Sequence, residues 1–316
     1  LSRKPRSWPL ERGFRLPEGA STGSPFTQEN GRVRVGWRIS LFVLITMVVT
    51  GLAGVVLPAG LQFGSFALLL GALLGGWSML ALDGKSPDAL GLYVERSTAR
   101  EMALGTTIGV GIALVVVGVM AAAGGLTWSA QPGSAAEWVK GGVGALLLLT
   151  VPAAAEEALL RGYPLQALAE AVGAPLALVA TSVAFGMMHM GNPDVTALGL
   201  ANVTAAGLLL GAVYLRTGSL WWATGVHLGW NWAHGYLVDL PVSGLEILDA
   251  PLYEGASAGP DWLGGGAFGP EGSAVTTVVV LAASALVWWG GWLKPSETAL
   301  RSEPLVFDGR NESIGS

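Results

Sequence analysis

Cysteine is absent from this chain, which excludes disulfides, thiolate nucleophiles and any zinc site built on sulfur. Charge is scarce too. Charged residues fill 12% of the 316 positions and hydrophobic ones 52%, whereas a soluble domain usually carries about 25% charged residues. With a mean hydropathy of +0.55 the chain reads as a membrane protein. The net charge of −5 says little by itself, because such a protein distributes charge by side. Histidine is rare as well, and all 3 copies, His189, His227 and His234, fall between Gly141 and Gly235.

What the chain does have is a series of apolar runs of spanning length, about 20 residues each. They lie at Ile39–Pro58, Phe63–Leu82, Ala103–Ala123, Gly141–Leu168, Ala174–Met190, Val195–Leu215, Leu220–Val238 and Val275–Leu293. This predicts an all-α, polytopic membrane bundle of about eight helices over residues 37–293. The first run begins at Trp37 and is long enough to span, so it is not read as a cleaved leader. Residues 1–36 are polar and basic, too poor in apolar side chains to bury a core, and are expected to form a disordered arm. Lysines and arginines gather before the first run, at Lys85, Arg96 and Arg100, at Arg216, and in the 294–316 tail, with Lys140 the exception. The positive-inside rule then predicts both termini in the cytoplasm of a prokaryotic plasma membrane, with the acid-rich 239–274 connection outside. That connection is rich in Gly and Pro, and its glycine triplet at 264–266 argues against regular structure there. Gly105, Gly109 and Gly111 fit close helix packing in lipid.

Against this background the phrase Ala-Ala-Glu156-Glu157-Ala-Leu-Leu-Arg161 stands out, because it follows a run with no charge from Gly141 to Ala155. An ionisable group in such a segment costs roughly 2.5–3.5 kcal/mol on insertion scales, so it is rare and usually functional. Glu157 and Arg161 are four apart with the acid first, the favourable order for a helical ion pair. Glu156 lies about 100° round the helix and is left to face a cavity, where desolvation favours a general base. Extending this helix to about Leu168 puts Glu156 near its middle. Phe185-Gly-Met-Met-His189 supplies an imidazole near the end of the fifth run, and His227-Leu-Gly-Trp-Asn231 places two hydrogen-bonding side chains on one face of the seventh. The HExxH zinc signature is absent.

Taken in order, Glu156-Glu157-x-x-x-Arg161, Phe185-x-x-x-His189 and His227-x-x-x-Asn231 resemble the three motifs of the CPBP family of intramembrane proteases. That family includes the type II CAAX prenyl endopeptidases and the Abi, or bacteriocin-immunity, proteins. The likeness covers about residues 85–236, and His234 is no part of it. It implies proteolysis in a site open to the cytoplasm. Glu156 and His189 would activate water, His227 and Asn231 would donate to the oxyanion, and Glu157 with Arg161 would hold the helix in place. It also leaves open whether Glu156, His189 and His227 bind Zn2+ or the reaction is metal-free. Membrane lipids and a peptide or protein substrate, with CAAX-type tails as one candidate, are the partners expected; nucleic acid is not. Two other readings compete. One is a non-catalytic immunity or scaffold protein binding through its outer loop; the other is a proton-coupled transporter with Glu and His as relays.

Overall fold

The computed structural model describes residues 26–27, 33–302 and 304–305, and is mostly helical. Its long helices are α1 (Val35–Val56), α2 (Leu61–Leu82), α3 (Arg96–Ala122), α4 (Ala135–Glu157), α5 (Tyr163–Val172), α6 (Ala174–Met188), α7 (Ala197–Thr217) and α8 (Leu220–Trp232). After them come α9 (Asp261–Gly264), α10 (Ala274–Trp289) and α11 (Glu297–Arg301). A helix satisfies its own backbone, which is what an apolar run must do where there is no water. Helices therefore stand at all eight expected places. Five of them, α1, α2, α3, α7 and the continuous Ala135–Val172 rod, are long and apolar enough to cross a bilayer. α6 and α10 are shorter apolar helices, and α8 has 13 residues before it passes into a π-turn at Ala233–Leu237. The count of eight spans is thus not confirmed; an integral membrane protein with five candidate spans is.

The all-α expectation needs one correction. Strands β1 (Leu126–Ala130) and β2 (Tyr253–Ser257) pair antiparallel, from Leu126 opposite Ser257 to Ala130 opposite Tyr253. β2 and α9 both lie in the 239–274 connection, which was expected to be irregular. Trp128 pins the sheet to the bundle by donating from Nε1 to the Val238 carbonyl at 2.9 Å. The glycine triplet does not dissolve the structure; it lets the structure turn. Gly265 and Gly266 take φ of 81° and 60°, left-handed values that most side chains resist, between α9 and the next short helix.

The bundle has two dissimilar ends. At one, Arg38 on α1 donates to Asp83, Glu170 and Tyr163, tying α1 to the end of α2 and to α5. The described part of the 294–316 tail closes over the same end: Thr298 donates to Glu95 at 2.6 Å and the Leu305 N–H to Gln166 at 2.9 Å. The expected arm at 1–36 lies outside the described residues except near its junction with α1, where the Arg34 N–H donates to the Phe26 carbonyl at 3.0 Å. The other end carries the sheet and the 239–274 connection, stitched to the α6–α7 loop by the Asn192 amide donating to the Ser243 carbonyl at 2.9 Å.

Between the ends, α3 and α8 touch backbone to backbone. A Cβ on Gly109 would collide with the Val226 carbonyl and one on Gly229 with the Thr106 carbonyl, and Gly105 and Gly225 are similarly crowded. Gly111, expected to belong to this packing, instead faces open space. The close approach fixes the rotation of α8. Replacing Gly229 by Val should therefore overpack this seam and cost about 1–3 kcal/mol. Thermal unfolding in detergent should show a lowered midpoint for Gly229→Val and an unchanged one for Gly111→Val.

Candidate active site

α4 carries the acidic pair, and its Pro152 prepares the approach. Proline has no N–H, so the carbonyl four residues earlier loses its helical donor. That carbonyl, of Leu148, is supplied instead by the Gln62 side chain of α2 at 3.1 Å. One turn further, α4 ends in a π-turn at Ala158–Gly162 and continues as α5. The helix does run on past Arg161, as the placement of Glu156 requires. Such one-turn widenings are common beside functional groups, and a second follows α8.

Adjacent positions on a helix point in different directions, and here the two glutamates part company. Glu157 is fully buried. Its Oε1 accepts from Arg161 Nη1 at 3.1 Å, the pairing anticipated by spacing, and also from His227 Nδ1 at 2.9 Å, which spacing could not reveal. Arg161, also fully buried, donates its second nitrogen to the Gly207 carbonyl of α7 at 3.2 Å and lies over the Phe185 ring, 4.5 Å from its centre. One carboxylate and one guanidinium thus link α4, α6, α7 and α8. Glu156 points elsewhere: its Oε2 has no hydrogen-bond partner among the described residues and lies 3.8 Å from His227 Nε2, too far for a hydrogen bond.

Phe185 is the hub of the aromatic contacts. Its ring is 4.8 Å from that of His189 and 5.8 Å, edge-on, from that of His227. Its carbonyl meets His189 Nδ1 at 2.8 Å. A carbonyl can only accept, so Nδ1 carries the proton and the neutral ring keeps its lone pair on Nε2. The same logic puts a proton on His227 Nδ1, facing the Glu157 carboxylate. His227 can then donate from Nε2 only when both of its ring nitrogens carry protons.

Glu156, His189, His227 and Asn231 all line one cavity of about 270 Å³, whose other walls are largely apolar, with Leu149, Leu209, Leu210 and Val226 among them. Glu157 and Arg161 do not line it and act from behind. His234 does not reach it either. It is fully buried, packed edge-on against Trp230 at 4.4 Å between ring centres. Two of the three histidines meet at the cavity, not all of them.

Zinc was left open through Glu156, His189 and His227. The residues do not fit that role: among the described residues no group of three His, Asp or Glu side chains is arranged to hold a metal ion.

The cavity also has a wall the motifs did not announce. Glu271 and Ser243, from the 239–274 connection, line it beside Trp230. Glu271 is buried and accepts from Trp230 Nε1 at 2.7 Å and from the Ser243 hydroxyl, while its own carbonyl accepts from Asn202 at 2.7 Å. In the sequence Glu271 is one acid in an acid-rich connection, with no spacing to mark it. At the same end, burial raises the Asp239 carboxyl above its usual pKa, an effect opposed by the N–H groups of Ala250 and Gly255.

Residues 138–233 match the family model described as type II CAAX prenyl endopeptidase Rce1-like. The matched span contains all seven motif residues and agrees with the resemblance those motifs carry. No curated protein and no solved structure matches the chain.

Because Glu157 accepts from both Arg161 and His227 with no water-facing surface, its loss should be a stability defect first. Breaking a buried ion pair by removing one partner typically costs about 3–5 kcal/mol. Thermal unfolding in detergent should show Glu157→Ala strongly destabilised and Glu156→Ala close to the parent.

Proposed function

We propose, from the Rce1-like domain that residues 138–233 carry, that this protein is an intramembrane endopeptidase hydrolysing peptide bonds of membrane-associated substrates. The observation that supports this most is the single cavity shared by Glu156, His189, His227 and Asn231, side chains drawn from three helices. CAAX-type C-terminal processing is the activity in the family's description, and peptides of that kind are the first substrates to try.

In this reading Glu156 takes a proton from a water molecule, with the Nε2 lone pair of His189 accepting the second hydrogen bond that orients it. The hydroxide adds to the scissile carbonyl, whose oxygen gains the negative charge. His227, as imidazolium through Nε2, and the Asn231 amide donate to that oxyanion. As the tetrahedral adduct collapses, the C–N bond breaks and the Glu156 proton passes to the leaving amine. Glu157 and Arg161 touch no reacting atom. They fix the tautomer and orientation of His227, and the apolar walls keep these interactions strong by excluding bulk water.

Reconstituted protein should be tested against a panel of lipid-anchored peptides carrying a fluorophore and quencher. Glu156→Ala and His189→Ala should abolish cleavage while the protein remains folded. Asn231→Ala should slow it on the order of 10²–10³-fold, as loss of an oxyanion donor does. Chelator should leave the parent rate unchanged. Cleavage by Glu156→Ala at the parent's rate would rule out the assigned base.

A further inference from the structure

α8 carries both His227 and Asn231, so its position along α3 decides where these two side chains lie. The α3–α8 seam holds the two axes close, with Gly105 against the Trp222 carbonyl and Gly109 against that of Val226. Contacts of that kind fix distance and rotation and leave the axial register to be set elsewhere. The register matters, because His227 Nδ1 meets Glu157 Oε1 at 2.9 Å. A slip of α8 by half its pitch of about 5.4 Å would carry that pair out of hydrogen-bond reach.

The start of α8 supplies a pin. Ser219, its N-cap, accepts from the Trp222 N–H at 3.5 Å and donates its hydroxyl to Glu101 Oε2 of α3 at 2.6 Å. Both residues are buried, and Glu101 stands one turn before Gly105, on the face that opens the seam. The Tyr93 hydroxyl donates to the same carboxylate oxygen at 2.8 Å and lies 3.1 Å from the Ser296 hydroxyl of the C-terminal tail. Glu101 Oε1 has no hydrogen-bond partner among the described residues. A buried acceptor left unmatched is costly, so the carboxylate is a poor packing group whose contacts are concentrated on the oxygen facing Ser219. The neighbouring chain is interlocked as well: Trp221 Nε1 donates to the Tyr93 carbonyl at 2.7 Å and the Leu220 N–H to the Gly91 carbonyl at 3.0 Å. Gly91 has φ of 84°, and a Cβ there would collide with the Gly218 carbonyl. Tyr93, Glu101 and Ser219 do not line the cavity.

We propose that Glu101 is a positioning residue of this site: through Ser219 it sets the axial register of α8, and so keeps His227 on Glu157 and Asn231 at the cavity. Its effect on turnover rests on the endopeptidase reading above; its effect on His227 does not. The pin touches no cavity wall, and the donors it places act on the oxyanion, so its loss falls on kcat and spares KM.

With only 3 histidines in the chain, protein isotopically labelled in its histidine ring nitrogens gives three imidazoles to follow by NMR in detergent. Loss of a signal in His227→Gln identifies that ring. Ser219→Ala and Glu101→Ala should each shift the His227 signals and leave those of His189, just past the end of α6, in place. Glu101→Gln keeps an oxygen that can accept from Ser219 and should retain the parent spectrum. In cleavage assays Ser219→Ala and Glu101→Ala should lower kcat on the order of 10-fold with KM unchanged, less than the 10²-fold that a 1 Å misplacement can cost. Glu101→Gln should cut close to the parent rate. The double variant Glu101→Ala/Ser219→Ala should lose no more than either single one, because both act through one bond. An unmoved His227 signal in folded Ser219→Ala would overturn the pin, whether or not Glu101→Ala folds. A Glu101→Gln spectrum displaced as far as that of Glu101→Ala would overturn it too. If the His227 signals move as expected in protein that cuts no peptide, the positioning role stands and the endopeptidase reading falls.

Discussion

The bridge made by Glu157 organises the membrane-embedded core. A carboxylate, a guanidinium and an imidazole are all withdrawn from water, and each would be costly alone. Together they offset much of that cost: Glu157 Oε1 accepts from both Arg161 and His227, and Arg161 also reaches the Gly207 carbonyl and the Phe185 face, while Glu157 Oε2 and Arg161 Nε have no hydrogen-bond partner among the described residues. Because these partners sit on four helices, the packing of the bundle and the orientation of His227 are one constraint. If α8 rotated away from the α3 glycines, His227 would leave its carboxylate.

The division of labour between neighbouring glutamates follows from helix geometry alone. A turn of about 100° between adjacent residues sends Glu157 into the protein and Glu156 to the cavity rim, so two identical side chains have opposite surroundings. The π-turn after Glu157 and the proline before Glu156 adjust the helix on either side, with Gln62 repairing the carbonyl that Pro152 leaves without a donor. Phe185 then holds the two imidazoles around the site, using its carbonyl for His189 and its ring for both.

Much of this was legible in the sequence where a periodicity or a charge in an apolar run carried it. The places of the apolar helices, the Glu157–Arg161 pair and the opposite direction of Glu156 all follow from spacing. What escaped was long-range. No local pattern ties Glu157 to His227, seventy positions on, or brings Glu271 of the outer connection to Trp230. The two strands escaped because neither is stable alone; Leu126–Ala130 and Tyr253–Ser257 order each other only across a large separation in sequence. Composition misjudged Gly111 and the glycine triplet for the same reason, since a glycine's use depends on what lies opposite it. It also could not say that His234 would turn away from the cavity its two companions share.

The central claim is that four side chains act on one carbonyl group. An experimental structure with a peptidyl difluoromethyl ketone, whose hydrate imitates the tetrahedral adduct, tests it most directly. The account predicts one hydrate oxygen within hydrogen-bond reach of His227 Nε2 and the Asn231 amide, and the other beside Glu156. A hydrate bound away from these groups, or Glu156 and His189 facing separate spaces around it, would contradict it.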